Sequence, residues 1–374
     1  MPVMKNTPQQ AYTAAFAACP LRLHRHRPQS LKLTLEQIAD DTGIAENADY
    51  YGQGKLIEDF EQQVARLLGK TSGLFLPSGT LAQPMALKIW ADAVSNANIA
   101  LHPTSHLILH EQSGYEALWH LKGHLWGQSD NLPTLSELQE LTRTQPLSSV
   151  LMELPLREIG GQLPDWDDVV EQCHWARSQG IKLHLDGARL WQCPAAWNKN
   201  LAGIATLFDS VYVSFYKDLG GMAGAMLLGD ATFIDQARIW QRRAGANLHT
   251  LAPYVISARA GLEKHLPQMP QRHEQAKWLA KQLNALPGVH TWPEIPDTSM
   301  FRLRLRCKPE VFFRLACHWI DEHQIGLIPP PYAVSEYEIC SEISIGDGFN
   351  ALPAAQWQQW LEKFSKEVLA GCQL

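Results

Sequence analysis

The feature that most constrains this fold is an alternation of short apolar runs with longer segments of helical periodicity. Residues 56–68 show that periodicity clearly, because their apolar side chains recur every three or four positions and Gly69 follows as a stop signal. Apolar runs of strand length occupy residues 73–77, 99–101, 149–152, 181–185, 209–214 and 223–228. Strands that alternate with helices predict an α/β domain with a mainly parallel sheet flanked by helices.

The rhythm changes after residue 255, where long helical stretches come first and then a strand at 299–306 and a helix at 309–323. A last strand and helix are predicted near Ile343 and Trp357. A chain of 374 residues is long enough for two domains. We therefore expect an N-terminal segment (1–49), a large domain (50–255) and a smaller C-terminal α+β domain (256–374).

Composition excludes several classes of partner. The net charge is only −6, and the one basic run, residues 22–27, is expected to be a solvated face, so we expect no nucleic-acid partner. No apolar run approaches the ~18 residues of a membrane span, so we expect no membrane partner. Seven scattered cysteines without a CxxC pair predict no metal site and a cytoplasmic location.

Three segments follow predicted strands, where the ligands of open parallel sheets bind. The first is the turn of Ser78, Gly79 and Thr80 at the start of a helix, which can bind a phosphate through backbone amides and a hydroxyl. A strand-to-helix turn often contains Ser-Gly for conformational reasons alone. This motif by itself therefore leaves both interpretations open.

The other two segments place Asp186 and Arg189 after one strand and Lys217 after another. A carboxylate at such a position can keep a ring nitrogen protonated, and a partly desolvated lysine can form an imine. A capping aspartate and a solvated lysine are the alternatives. The separation, 217 − 186 = 31 residues, allows one helix and one strand between them, so both side chains can face one crevice.

Together, the phosphate turn, the carboxylate and the lysine stand in the order used by fold-type I pyridoxal 5'-phosphate (PLP) enzymes. The sequence resembles the threonine aldolase and β-eliminating lyase family from residues 50–52 through the Ser78 turn to the C-terminal domain. Residues 184–191 are the most specific part of this resemblance. It implies an aspartate aminotransferase-like large domain with a seven-stranded sheet.

The resemblance also implies roles for individual residues. Asp186 pairs with the pyridinium, Lys217 forms the Schiff base with PLP, and Arg189 reaches the carboxylate of an amino-acid substrate. Ser214 falls on a phosphate-side hydroxyl. His106, followed five residues later by a glutamate, stacks on the cofactor ring and assists proton transfer.

Arg242 lies in a segment similar to the one that reaches the phosphate of a neighbouring subunit. The resemblance therefore implies a homodimer or homotetramer with active sites shared across the interface. It leaves open whether a monovalent ion binds.

The chain departs from the family before Tyr50, where the family's serine-bearing segment is not recognisable, and at two further positions. Glu342 stands where a second carboxylate-binding arginine is expected, and Tyr216 precedes Lys217 where a small residue is usual. A glutamate would repel a carboxylate, so we expect a replacement cation from the alternating arginines 302, 304 and 306, or else a substrate that itself has a cation.

The resemblance implies a PLP-dependent carbon–carbon lyase that cleaves a β-hydroxy-α-amino acid such as threonine to glycine and an aldehyde. Glu342 keeps a second hypothesis open, namely β-elimination, transamination or racemisation of another amino acid. A third hypothesis is a non-catalytic PLP-binding protein that has lost the carboxylate clamp.

Overall fold

The computed structural model describes residues 7–372. Its helices are α1 Pro8–Ala18, α2 Leu31–Asp40, α3 Lys55–Leu67, α4 Gly79–Ala93, α5 His106–Leu109, α6 Gly114–Ala117, α7 Leu135–Thr144, α8 Trp166–Ser178, α9 Cys193–Trp197, α10 Leu201–Ala205, α11 Ala231–Arg243, α12 Ala252–His265, α13 Met269–Asn284, α14 Pro309–His323 and α15 Ala354–Phe364. Among these described helices, none is both long and apolar enough to span a membrane.

The strands are β1 Leu21–Arg22, β2 Ser72–Leu76, β3 Asn98–Leu101, β4 Lys122–Leu125, β5 Ser149–Glu153, β6 Lys182–Gly187, β7 Ser210–Ser214, β8 Ala225–Gly229, β9 Val289–Trp292, β10 Met300–Arg306, β11 Ile325–Gly326, β12 Ala333–Val334 and β13 Glu338–Ser344. The chain divides into two compact units. The larger unit contains residues 30–159 and 163–269, and the smaller unit contains residues 7–29, 160–162 and 270–372.

The larger unit is built on a seven-stranded sheet in the order β2-β8-β7-β6-β5-β3-β4. Strands β4, β3, β5, β6 and β7 pair in parallel in that order. Strand β8 lies between β7 and β2 and is antiparallel to both of them. Every residue of β7 and β8 is buried, as expected for strands covered by helices on both faces. The predicted mainly parallel α/β fold is therefore confirmed.

The smaller unit has a four-stranded antiparallel sheet in the order β12-β13-β10-β9. Helix α14 begins and ends at the predicted residues, and its apolar face joins the core of this unit. The predicted smaller α+β domain is confirmed.

The unit boundaries differ from those that we predicted. Helix α12 belongs to the larger unit because Val255 and Leu262 pack into its core, so the change of unit comes near residue 270 rather than 256. Residues 7–29 belong to the smaller unit, since β1 pairs with β11 and the α1 side chain Phe16 lies in that core. The N-terminal segment is thus not a separate part of the fold.

The basic run at residues 22–27 is only partly solvated, which corrects our prediction of a solvated face. Leu23 is buried in the core of the smaller unit. The Arg25 guanidinium lies 3.1 Å from the carboxylate of Glu342. This segment is therefore packed through its apolar member and through an ion pair.

Candidate active site

Asp186 lies near the carboxyl end of β6 with both carboxylate oxygens held. One oxygen accepts a hydrogen bond from the amide of Ala188 at 3.0 Å. The other accepts from Gln83 Nε2 at 2.9 Å, so a side chain of α4 fixes the orientation of the carboxylate. Asp186 is 2% exposed, and a buried carboxylate in a fixed orientation is suited to bind a cationic ring nitrogen.

Lys217 follows β7, the strand next to β6 in the sheet. Burial and, after it, the nearby Arg189 cation lower the pKa of Lys217 to about 8, although Asp186 opposes this change. A primary amine with such a pKa is partly neutral near pH 7 and can attack an aldehyde. Lys217, Asp186 and Arg189 therefore lie close enough for the charges of the last two to shift the pKa of Lys217. We call these residues one electrostatic group.

Glu153 is an acidic residue of this group that our sequence analysis missed. It ends β5, and its Cα pairs with that of Asp186 on the neighbouring strand. Burial and, after it, the charge of Asp186 raise the pKa of Glu153. The rule that selected Asp186, a polar residue at the end of an apolar strand, could also have found Glu153.

The predicted phosphate turn lies at the start of α4. Ser78 is the N-cap, and its hydroxyl oxygen accepts a hydrogen bond from the amide of Thr80 at 3.2 Å. A Cβ atom at Gly79 would collide with the hydroxyl of Tyr212, so only glycine fits at this position. The amides of a first helical turn lack intrahelical partners and can bind an anion.

Ser214 has a different set of partners from the one that the resemblance implies. Its hydroxyl donates to the carbonyl of Ala188 at 2.8 Å, and the side chain is fully buried. This bond links β7 to the segment after β6. Because it uses the only proton of the hydroxyl, Ser214 in this arrangement has no proton to donate to a phosphate.

His106 begins α5, and its ring is about one-third exposed. Its Nδ1 lies 2.9 Å from a carboxylate oxygen of Glu111. Since a carboxylate accepts hydrogen bonds, this contact places the proton of the neutral ring on Nδ1 and leaves Nε2 as an acceptor. His110 Nε2 lies 3.0 Å from a carboxylate oxygen of Glu158.

Arg242 is exposed in the last turn of α11. Its predicted role in the site of a neighbouring subunit stays a prediction.

These residues fit pyridoxal 5'-phosphate on chemical grounds. The start of α4 offers amides to a phosphate, Asp186 offers a buried anion to a pyridine nitrogen, and Lys217 offers a partly neutral amine to an aldehyde. All of them belong to the larger unit. Held together, such groups can attach the cofactor and keep its ring protonated.

The lowered pKa of Lys217 predicts how the pH affects cofactor attachment. With a pKa of about 8, roughly a tenth of the amine is neutral at pH 7, compared with about one part in 3,000 for an ordinary lysine. The neutral fraction grows as the pH rises and is complete above the pKa. We expect the attachment rate of PLP to the apoenzyme to rise about tenfold per pH unit below pH 8 and to level off above it.

Stopped-flow absorbance of apoenzyme mixed with PLP measures this rate. Removal of a neighbouring cation by Arg189→Gln should move the inflection to higher pH, because Arg189 lowers the pKa of Lys217. A rate that keeps rising to pH 10, as it does for a free lysine derivative, would contradict the prediction.

Comparison with known proteins identifies similar chains. The family described as beta-eliminating lyase matches residues 37–305. A crystal structure from Listeria monocytogenes, provisionally assigned as an L-allo-threonine aldolase, has a TM-score of 0.92 and 39% identity, over 96% of this chain and 99% of that one.

Two curated relatives are similar over shorter stretches. Low-specificity L-threonine aldolase 1 of Arabidopsis thaliana is 25% identical, over 67% of this chain and 72% of its own length. Aldolase vrtJ of Penicillium aethiopicum is 31% identical, over 69% and 67% of the two chains. The family match at residues 37–305 covers most of the larger unit, which contains the candidate site.

Proposed function

The chain belongs to the β-eliminating lyase family, and we propose that it is a PLP-dependent aldolase that cleaves a β-hydroxy-α-amino acid, such as threonine, to glycine and an aldehyde. The observation that best supports this function is the placement of Asp186 and Lys217 at the ends of neighbouring strands, within one electrostatic group. Bound PLP supplies a protonated ring that takes up the electrons of the broken bond.

The proposal gives two side chains of the larger unit a role toward the substrate. Arg189, which is 7% exposed at the end of β6, binds the substrate carboxylate. His106 Nε2 accepts the proton of the β-hydroxyl as the Cα–Cβ bond breaks, while Glu111 holds Nδ1. The aldehyde leaves, and a proton added at Cα completes glycine.

Glu342 is compatible with this proposal because it does not stand as an isolated anion. Arg25 lies 3.1 Å from its carboxylate, within the same unit. Arg302 is its direct Cα partner across the antiparallel pair of β10 and β13. The expectation that Arg302, Arg304 or Arg306 replaces the family's second carboxylate-binding residue stays a prediction.

A product assay tests the proposed function. We expect purified protein reconstituted with PLP to release equal amounts of glycine and aldehyde from threonine, allo-threonine or a bulkier β-hydroxy amino acid. Glycine is measured by chromatography and the aldehyde by a coupled dehydrogenase. The matched control is Lys122→Ala, which removes an exposed lysine of the same unit and should leave the yield unchanged.

The second candidate function is β-elimination, transamination or racemisation of another amino acid, and Glu342 is the observation that favours it. This second function would replace the aldolase proposal if the assay gave no glycine from any β-hydroxy amino acid. The products would then be pyruvate or another keto acid, or an amino acid inverted at Cα. A non-catalytic PLP-binding protein would give bound cofactor and no product with any amino acid.

The proposal includes a homodimer or homotetramer. Leu31, Ile44 and Tyr50 of the larger unit are each exposed over more than half of their surface. Large apolar side chains gathered in one segment are typical of surfaces that associate. The exposed Arg242 is available to a neighbouring subunit in such an assembly.

A further inference from the structure

Two tyrosines meet at the phosphate turn. Tyr212 lies on β7, is 2% exposed, and places its hydroxyl against Gly79, the first residue of α4. Its phenol lies near enough to that of Tyr216 for each phenol to shift the pKa of the other. The pair therefore begins at the amides that can bind an anion and extends toward the segment of the catalytic lysine.

Tyr216 differs from its partner in exposure. It is 40% exposed, and it directly precedes Lys217, whose Nζ lies 5.8 Å from the centre of its ring. Thus Tyr212 is enclosed by the fold, whereas Tyr216 has one side turned to solvent.

Both phenols remain protonated at neutral pH. Burial raises the pKa of Tyr212 well above its ordinary value, and burial is also the main cause that raises the pKa of Tyr216. A neutral phenol has one proton to donate. If Tyr212 donates to the oxygen of Tyr216, the proton of Tyr216 stays available for a third group.

One hydroxyl that the resemblance places on the phosphate side already donates its proton to another group. The hydroxyl of Ser214 is committed to the carbonyl of Ala188, and the position before Lys217 has a tyrosine where a small residue is usual. A phosphate has several acceptor oxygens, which bind best when several donors converge on them.

We propose that Tyr216 donates a hydrogen bond to the phosphate of bound PLP, and that Tyr212, packed on Gly79, holds the Tyr216 phenol in the orientation that this bond requires. The inference rests on the proposed function, since it assumes that PLP binds. It makes Tyr216 a cofactor-binding residue and Tyr212 a positioning residue. It also gives a reason for a large residue beside the lysine.

The test compares ligands with and without a phosphate. Apoenzymes of the wild type, Tyr216→Phe and Tyr212→Phe are titrated with PLP and with pyridoxal, and binding is followed by quenching of tryptophan fluorescence. Tyr216→Phe should weaken PLP binding about 10- to 100-fold, the value of one hydrogen bond to a charged group. Pyridoxal, which has no phosphate, should bind both forms equally.

Tyr212→Phe should cause a smaller loss with the same selectivity for PLP, because it releases the orientation of Tyr216 without removing the donor. Inorganic phosphate should compete with PLP less well in Tyr216→Phe than in the wild type. The matched control is Tyr115→Phe, which removes a phenol beside Gly123 on β4 and should change neither affinity. Thermal melting verifies that each variant is folded.

The outcomes separate this inference from the function on which it rests. Equal losses for PLP and pyridoxal would show that Tyr216 acts on the ring or on Lys217, and would overturn the inference. Unchanged PLP affinity in Tyr216→Phe would do the same. A wild-type protein that binds neither ligand would instead overturn the proposed function.

Discussion

Lys217→Ala is expected to abolish turnover, lowering kcat by on the order of 10⁴-fold or more, because it removes the amine that we propose to bond covalently to the cofactor. The neighbouring Asp186 and the turn at Ser78 remain, so PLP should still bind, but without a covalent bond. Treatment with borohydride followed by peptide mass spectrometry should find PLP on Lys217 in the wild type and no adduct in the variant.

The exposed Lys122 gives a matched control, since Lys122→Ala removes an amine of the same unit on the edge strand β4. It should retain full activity and the adduct on Lys217. An adduct on another lysine, together with normal turnover of Lys217→Ala, would show that Lys217 has been assigned the wrong role.

Asp186→Asn should lower kcat by about 10²- to 10⁴-fold, because an amide cannot hold the proton on the ring nitrogen. The fold should tolerate this change. Asparagine can still accept from the amide of Ala188, and Gln83 can rotate to present Oε1, which has no hydrogen-bond partner in the described part of the chain. Kinetics at saturating substrate and thermal melting measure the two effects separately.

Asp59→Asn, an equivalent change at an exposed position of α3, is the control and should leave both kcat and melting unchanged. If Asp186→Asn turned over at the wild-type rate with bound PLP, the carboxylate would not tune the ring. A large fall in the melting temperature would instead indicate that Asp186 is mainly a structural residue.

Six strands of the large sheet could be predicted because they are buried and therefore apolar. The seventh, β4, was missed because Lys122 and Leu125 are exposed and no residue of the strand is fully buried, so the apolar pattern is lost. The pairing of β1 with β11 was also missed, since two-residue strands 304 residues apart leave no local signal.

The candidate site could be predicted as far as it depends on strand ends. Asp186, Arg189 and Lys217 follow apolar runs, and the structure groups them as expected. Gln83 could not be found in this way, because its contact with Asp186 depends on how α4 packs against β6. Nothing in the sequence near Ser214 indicates that the carbonyl of Ala188 accepts a hydrogen bond from its hydroxyl, since that bond joins segments 26 residues apart.

Helix α4 contributes to both parts of the proposed cofactor site. Its first residue, Gly79, lies at the phosphate turn, and Gln83, four residues later, holds the carboxylate for the ring nitrogen. A rise of ~1.5 Å per residue places these two points about 6 Å apart along a rigid axis. The helix therefore fixes the distance between the phosphate turn and the carboxylate of Asp186. A vitamer whose phosphate stood farther from its ring nitrogen could bind at one of these places only by losing its contact at the other.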